Sequence, residues 1–241
     1  DPEFTRDFES LSWCLGAVYK PVSNVAFYGQ YSRAAEPIGY ALSLADSQKD
    51  LNLTKVTQQE VGVKLDLMDG RAQATLSAYK IVKNDLLARD ESDPTITRQI
   101  GQQSAKGIEA AFGMAVTPDL RIDVNGALVS AKYDDYIQSE TSDYTGNRPS
   151  NTPQRVANIW TSWNFAKNWT GRLGAHYVSE TFTNSANTTT RPSYVVLNAG
   201  LEWQPRDNMT LNLNVYNLTD RVYATSGGSA QWKLGAPRTA T

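Results

Sequence analysis

The sequence predicts an all-β fold: an antiparallel, up-and-down β-barrel that crosses a membrane on its strands. Three observations lead there. Runs of period-two alternation fill the chain. Short tight turns alternate with long polar connections. No segment has the helical period needed to cover an apolar sheet face. The alternation is plainest near the carboxy terminus, where Val195, Leu197, Ala199 and Leu201 alternate with Val196, Asn198, Gly200 and Glu202. After a turn, Met209, Leu211, Leu213 and Val215 alternate with Thr210, Asn212, Asn214 and Tyr216. One face is oily; the other is polar, amide-rich or glycine. A soluble sheet buries its oily face under a second layer, whereas a barrel in lipid turns it outward.

Strands are expected at about 12–19, 24–32, 56–67, 71–83, 97–116, 119–131, 154–165, 169–179, 193–203 and 208–217, with an eleventh beginning near 229. In the first, Trp13, Leu15, Ala17 and Tyr19 share a face; in the third, Val61, Val63, Leu65 and Leu67 do. Ile108, Ala110, Phe112, Met114 and Val116 form the apolar face of the fifth, and Trp169, Gly171, Leu173, Ala175 and Tyr177 that of the eighth. The opposite faces carry Glu60, Lys64 and Asp66, then Arg121, Asp123 and Asn125, then Arg172 and His176. Charge is cheap against a wet lumen, while Arg or Lys facing mid-membrane lipid costs about 2–4 kcal/mol, so these groups are expected to point inward.

The short connections are Lys20–Asn24, Met68–Arg71, Thr117–Asp119, Ala166–Asn168 and Gln204–Asn208, each carrying Pro, Gly, Asn or Asp suited to a tight hairpin. The long ones run roughly from Arg33 to Thr54, Asn84 to Ile96, Lys132 to Pro153, Glu180 to Pro192 and Arg221 to Ser229. Strict alternation of the two kinds separates a trimmed rim from an elaborated one. Aromatic residues gather at strand ends. Tyr19, Phe165, Trp169 and Trp203 lie beside the short turns, and Trp13, Tyr31, Trp160, Tyr177 and Tyr216 toward the other rim, predicting two interfacial girdles.

Composition is consistent with this fold. The 241 residues are 40% hydrophobic and 20% charged, with a net charge of −2, which offers nothing to attract nucleic acid. No run approaches the roughly 18–20 apolar residues of a membrane helix. Cys14 has no internal disulfide partner, and nothing at the start reads as a signal peptide.

Several motifs carry a resemblance. Glu60-Val61-Gly62-Val63-Lys64 with Leu67-Met68-Asp69-Gly70-Arg71 resembles a strand–turn–strand of TonB-dependent outer-membrane receptors, as does Lys106-Gly107-Ile108-Glu109 followed by Thr117-Pro118. Gly146-Asn147-Arg148-Pro149-Ser150-Asn151-Thr152-Pro153, leading to Trp160, is similar to a late-barrel signature of the ferric-siderophore branch. Asn214-Val215-Tyr216-Asn217-Leu218-Thr219-Asp220 with Tyr223 is the strongest match. The resemblance implies a barrel of about 22 strands with a plugged lumen. It also implies a bacterial outer-membrane location, ferric-siderophore import, and energy from a TonB-type transducer acting through the plug. No resident cofactor is implied, since iron travels only as its chelate. On this reading residues 1–5 are a cloning remnant. Residues 6–241 are then the carboxy-terminal portion of the barrel, about half of it, lacking the plug and the final strand.

The chemistry favours a receptor over an enzyme. His176 is the one imidazole, and there is no Gly-x-Ser-x-Gly elbow. The acidic groups Asp85, Asp90, Glu91 and Asp93, and Asp134, Asp135, Glu140 and Asp143, lack regular calcium-loop spacing and read as solvated loops. Five Asn-x-Ser/Thr sites, at Asn52, Asn168, Asn187, Asn208 and Asn217, follow from an Asn- and Thr-rich composition. A bulky ferric chelate suits aromatic stacking and Arg donors, and the long segments offer Arg33, Tyr40, Tyr133, Tyr136, Tyr144, Arg148, Tyr223 and Trp232. Tyr136, Tyr144 and Arg148 share one loop and are the foremost candidates for ligand binding. The alternatives are a passive porin-like or autotransporter barrel, a soluble all-β binding module, and a barrel hydrolase working through His176.

Overall fold

A computed structural model describes residues 7–36, 51–89, 97–139 and 141–241. Tyr40, Asp90, Glu91, Asp93, Glu140 and the amino-terminal residues 1–6 lie outside the described residues. The strands are β1 (Trp13–Val22), β2 (Val25–Glu36), β3 (Thr54–Leu67), β4 (Ala72–Arg89), β5 (Thr97–Ala115), β6 (Leu120–Asp135), β7 (Ile137–Ser139), β8 (Ser142–Asp143) and β9 (Arg155–Ala166). They continue with β10 (Trp169–Val178), β11 (Thr181–Phe182), β12 (Thr190–Arg191), β13 (Tyr194–Arg206), β14 (Met209–Tyr216), β15 (Ala224–Gly227), β16 (Trp232–Leu234) and β17 (Thr239–Ala240). No helix occurs among the described residues.

One 11-stranded sheet runs β1-β2-β3-β4-β5-β6-β9-β10-β13-β14-β17, with β1 and β17 at its edges. Adjacent strands of the wall pair antiparallel. The remaining strands form two-stranded hairpins inside the long connections. Ten wall strands match those expected from the sequence. The eleventh does not begin near 229. Trp232–Leu234 pairs with β15 in a loop hairpin, and the wall strand is Thr239–Ala240, paired with Val215 and Tyr216. A run of alternation cannot distinguish a loop hairpin from a wall strand; pairing partners can.

Register carries the apolar face across the sheet without a break. Val63 lies opposite Phe27 and Leu76, Ala110 opposite Leu76 and Gly126, and Ile159 opposite Val124 and Ala175. Leu201 then lies opposite Gly171 and Leu213. Among the described residues no protein layer covers this face: Leu15 is 71% exposed, Val61 63%, Leu128 58% and Leu213 52%. A contiguous apolar surface of this extent on a folded chain marks contact with lipid or another apolar phase. The stability of the wall therefore comes from its backbone ladder, because each peptide group left unpaired in hydrocarbon costs several kcal/mol. The buried apolar side chains are few, and Leu51, Leu87, Tyr133 and Tyr136 lie toward the long connections.

Two of the short turns pass through left-handed backbone, which favours Asn, Asp and Gly, with Met68 drawn in beside them. Asn168 sits at φ 66, and Met68, Asp69 and Gly70 at φ 55, 56 and 84. Beside the turns, Trp163, Phe165, Trp169 and Trp203 form a chain of ring contacts, with Trp169 and Trp203 stacked at 5.4 Å. Toward the other rim, Trp13 and Tyr31 meet at 5.3 Å. Trp160 does not join that girdle. Its partners Asp123 and Gly174 place it mid-strand on the polar face, where its ring lies so close to Gly174 that an added Cβ would meet it at 2.6 Å. Tyr216, opposite Thr239, shares the polar-face parity as well. Tyr28 covers Gly62 and Tyr79 covers Gly107 in the same manner, so glycine is required there to admit a neighbouring ring.

Two outcomes follow for the intact protein. Leu173→Arg, on the apolar face, is expected to lower folding stability by about 2–4 kcal/mol, while Ala127→Arg, on the polar face opposite Glu109, changes it by less than about 0.5 kcal/mol. Urea titration of the heat-shifted gel band measures both. Gly174→Ala is expected to cost about 1–3 kcal/mol, and that loss should largely vanish in a Trp160→Ala background.

Candidate functional site

Side chains with binding chemistry gather in two places, the polar face of the sheet and the shelf of long connections at one rim. On the polar face Glu60 is the hub of one cluster. It accepts hydrogen bonds from Tyr28 Oη (2.8 Å), Gln30 Nε2 (3.0 Å) and Gln58 Nε2 (3.2 Å). The Lys64 ammonium stands 5.5 Å from the Tyr28 ring centre. Arg121 binds Asp123 through two hydrogen bonds of 2.8 and 2.6 Å, and Arg172 donates to Glu202 at 2.7 Å. Asn158 donates to Asn125 Oδ1 at 2.8 Å, which leaves its own Oδ1 to accept from His176 Nδ1 at 2.6 Å. His176 is thus a link in an amide chain, with no hydroxyl or thiol nucleophile bonded to it among the described residues. The charged residues expected to share the polar face do so.

The shelf is built from three connections. Tyr133 and Asn147 are joined through the Tyr133 amide and the Asn147 carbonyl at 2.9 Å, and the Tyr144 amide donates to the Tyr136 carbonyl at 2.8 Å, closing the loop around the β7–β8 hairpin. Tyr133, Tyr136 and Tyr144 pack edge-to-face in sequence, at 4.7 and 5.2 Å between ring centres. The segment is then stitched to the next connection. Asn147 Nδ2 donates to the Ser185 carbonyl (2.9 Å), and the Asn151 amide to the Phe182 carbonyl (2.8 Å). Asn187, held in left-handed backbone at φ 56, grips Arg148 at both ends of its peptide: its Oδ1 accepts from the Arg148 amide at 2.9 Å and its Nδ2 donates to the Arg148 carbonyl at 2.8 Å.

Arg191, 4% exposed, crosses between the two segments, donating to Asn151 Oδ1 (2.8 Å) and Thr181 Oγ1 (2.7 Å). Burial lowers the affinity of its guanidinium for the proton, though Arg stays charged at any physiological pH. Thr183 meets Ser229 at 3.4 Å, tying in the third connection. Asn217, buried and at φ 51, anchors that connection by bonding the Arg221 and Ala236 carbonyls at 2.9 and 3.0 Å.

The three foremost candidates from the sequence are therefore in one assembly, in unequal positions. Tyr136 is 2% exposed and inside the tyrosine stack. Tyr144 is half-buried at the end of that stack. Arg148 lays its guanidinium over the Phe182 ring at 4.4 Å, and its buried Nε has no partner among the described residues. Tyr223 packs on Tyr194 at 4.6 Å, Trp232 is 44% exposed in the third connection, and Arg33 lies on the strand β2. Phe182, Asn187 and Arg191 were not singled out from the sequence as site residues. Their sole local signal is an Asn suited to a left-handed turn, and the partners of Asn187 and Arg191 in the neighbouring connection lie about 40 residues away.

A family model described as TonB dependent receptor-like, beta-barrel, matches residues 2–218. The chain belongs to this family. The probable TonB-dependent siderophore receptor PiuA of Acinetobacter baumannii is 25% identical over 240 residues, covering 94% of this chain and 32% of the relative. The metal-pseudopaline receptor CntO of Pseudomonas aeruginosa is 27% identical over 233 residues, again covering 94% and 32%. The chain thus spans about a third of the length of these relatives. The crystal structure of PiuA superposes with a TM-score of 0.81 at 22% identity, over 95% of this chain and 34% of that one. The ferric citrate transporter FecA in its unliganded form gives 0.77 at 19%, over 95% and 37%.

As part of a receptor barrel the chain sits in the bacterial outer membrane, with its short turns at the periplasmic rim and the shelf outside. In the intact receptor, Asn187→Ala removes both grips on the Arg148 peptide. Hydrogen exchange at the amides of Tyr144–Asn147 is expected to rise at least ten-fold, corresponding to about 1.4 kcal/mol. Thr145, bonded through its side chain and then its amide, holds the Asp143 carboxyl below its ordinary pKa. That contribution to loop order is complete above the ordinary carboxylate value of about 3.9 and is lost as pH falls through the lowered one. The Thr145 amide resonance should therefore hold its position from neutral pH down to about 4 and move only below it.

Proposed function

We propose that this chain is the section of receptor wall and loop shelf that captures a ferric siderophore at the cell surface for import, with energy from a TonB-type transducer delivered through the lumen-filling plug. The observation that carries the reading is the docked shelf. Two connections that need no mutual contact to close a barrel are locked by Asn187 and Arg191, and together they present Arg148, Phe182 and Tyr144. A rigid aromatic and cationic surface suits a bulky, often anionic chelate, because little ordering entropy is lost on binding. Arg148 is assigned to charge-assisted hydrogen bonding and Tyr144 to stacking. Tyr136, enclosed in the tyrosine stack, is assigned to positioning Tyr144. The reading is of a receptor, not an enzyme: iron is cargo carried inside its chelate, and nothing in it calls on nucleic acid.

The test uses the full-length receptor expressed in a strain lacking other ferric-chelate receptors. Radiolabelled ferric siderophores, hydroxamate and catecholate types included, are assayed for binding and energy-dependent uptake. Arg148→Gln is expected to weaken binding about ten-fold or more, a loss of at least about 1.4 kcal/mol. Tyr136→Phe keeps the ring stack and should leave affinity within about two-fold. Wild-type receptor that binds and takes up none of the chelates contradicts the proposal.

A further inference from the structure

We propose that Gln99 is a positioning residue for ligand capture: its side-chain amide braces an arm of β4 and β5 whose other face supports the tyrosine stack that carries Tyr144. The proposal rests on the reading of Tyr144 as the ring on which a chelate stacks. β4 and β5 pair with each other as far as Arg89 and Thr97. Their neighbours leave them lower down, β3 after the Lys55–Asn84 pair and β6 after the Gln102–Asp135 pair. Residues 86–89 and 97–100 therefore stand as a ladder of two strands, which is marginally stable in water without support.

Both ladders are irregular at the base of this arm. Asp85, in left-handed backbone at φ 57, falls between the Asn84–Gln102 and Leu86–Ile100 pairs. On the other side the register shifts between Gln102 and Gln103, which leaves Asp134 over between Tyr133 and Asp135. An extra residue of this kind bends its strand, and the ladder of the wall alone does not set the direction of the arm.

Gln99 sets it. Its Oε1 accepts from the Asn52 amide at 3.2 Å and its Nε2 donates to the Asn52 carbonyl at 3.0 Å, the two bonds that a paired strand residue would make there. Nε2 donates also to the Asp85 carbonyl at 2.9 Å, which the Thr54 hydroxyl meets at 2.9 Å as well. One side-chain amide thus joins the arm, its bent base and the connection before β3. Leu87, the cross-strand partner of Gln99, packs on Leu51. Leu86 lies on the opposite face by strand alternation and packs against the Tyr133–Tyr136 cluster. Tyr144 rests on Tyr136 at 5.2 Å between ring centres. Position therefore passes from Asn52 through Gln99 and Leu86 to Tyr136 and Tyr144. A stack already ordered in the free receptor loses less entropy when a ligand settles on it.

The experiment uses the intact receptor and reads two quantities. The first needs no ligand. Hydrogen exchange at the Tyr144 amide, which is bonded to the Tyr136 carbonyl, is expected to rise at least about three-fold in Gln99→Met, a variant that fills the same space without the amide. The second is affinity for ferric hydroxamate and ferric catecholate siderophores. Gln99→Met is expected to bind the chelate that wild type takes about five-fold more weakly, and to change nothing in a Tyr144→Ala background, whereas a general loosening of the fold would act in both. Leu86→Ala, at the other end of the brace, should give the same two results, and it decides the matter if Gln99→Met does not fold. Unchanged exchange at Tyr144, or a binding loss that persists in full once Tyr144 is removed, overturns the proposal. Wild type that binds none of the chelates overturns the import reading instead, and the exchange comparison then decides whether Gln99 braces the stack.

Discussion

The rest of this structure depends on the unbroken backbone ladder. Hydrocarbon offers a peptide group no partner, so each strand of the wall must be paired along its whole buried length. Pairing fixes register, and register fixes parity, since a slip of one residue would exchange the two faces. Ala110 between Leu76 and Gly126, and Leu201 between Gly171 and Leu213, are local instances of a constraint that runs across the sheet. Once parity is set, the outer face has to be apolar. The inner face is then free to carry Glu60, Arg121, Asp123, Arg172 and His176 in hydrogen-bonded clusters.

The same constraint moves packing out of the wall. A single sheet between lipid and lumen has no interior, so the buried aromatic and polar side chains collect where connections from different hairpins meet. There, Asn and Arg do the work that leucine does in a soluble core. Asn187 and Asn217 take up left-handed backbone and satisfy peptide groups of their neighbours, and Arg191 bridges two segments from a buried position. Hydrogen bonds of this kind are directional, so they hold a shelf in one shape with little apolar burial.

Much of the wall was legible from the sequence because period-two alternation is what lipid on one side and water on the other select. Strand ends toward the short turns were close, since Pro118, Asn168 and Asp69-Gly70 announce them. Three of the other ends were underestimated, β2 running to Glu36, β4 to Arg89 and β6 to Asp135, because alternation fades where both faces of a strand are wet. Trp160 was assigned to a girdle from its place toward a strand end, but its role depends on Gly174 across the ladder. In the site, Tyr136, Tyr144 and Arg148 were found through their shared loop. What holds them there was not visible, because Phe182 and Asn187 belong to a separate connection with no periodic signal of its own.

The central claim, that parity alone decides which side chains meet lipid, is tested most directly along β14. In the intact receptor, with Cys14 replaced by Ser, single cysteines from Thr210 to Val215 are labelled with an environment-sensitive fluorophore. The receptor is then reconstituted in bilayers with brominated acyl chains. Strong quenching at Leu211, Leu213 and Val215, with little at Thr210, Asn212 and Asn214, is the expected result. Quenching that is uniform along the strand, or strongest at the asparagines, would contradict it.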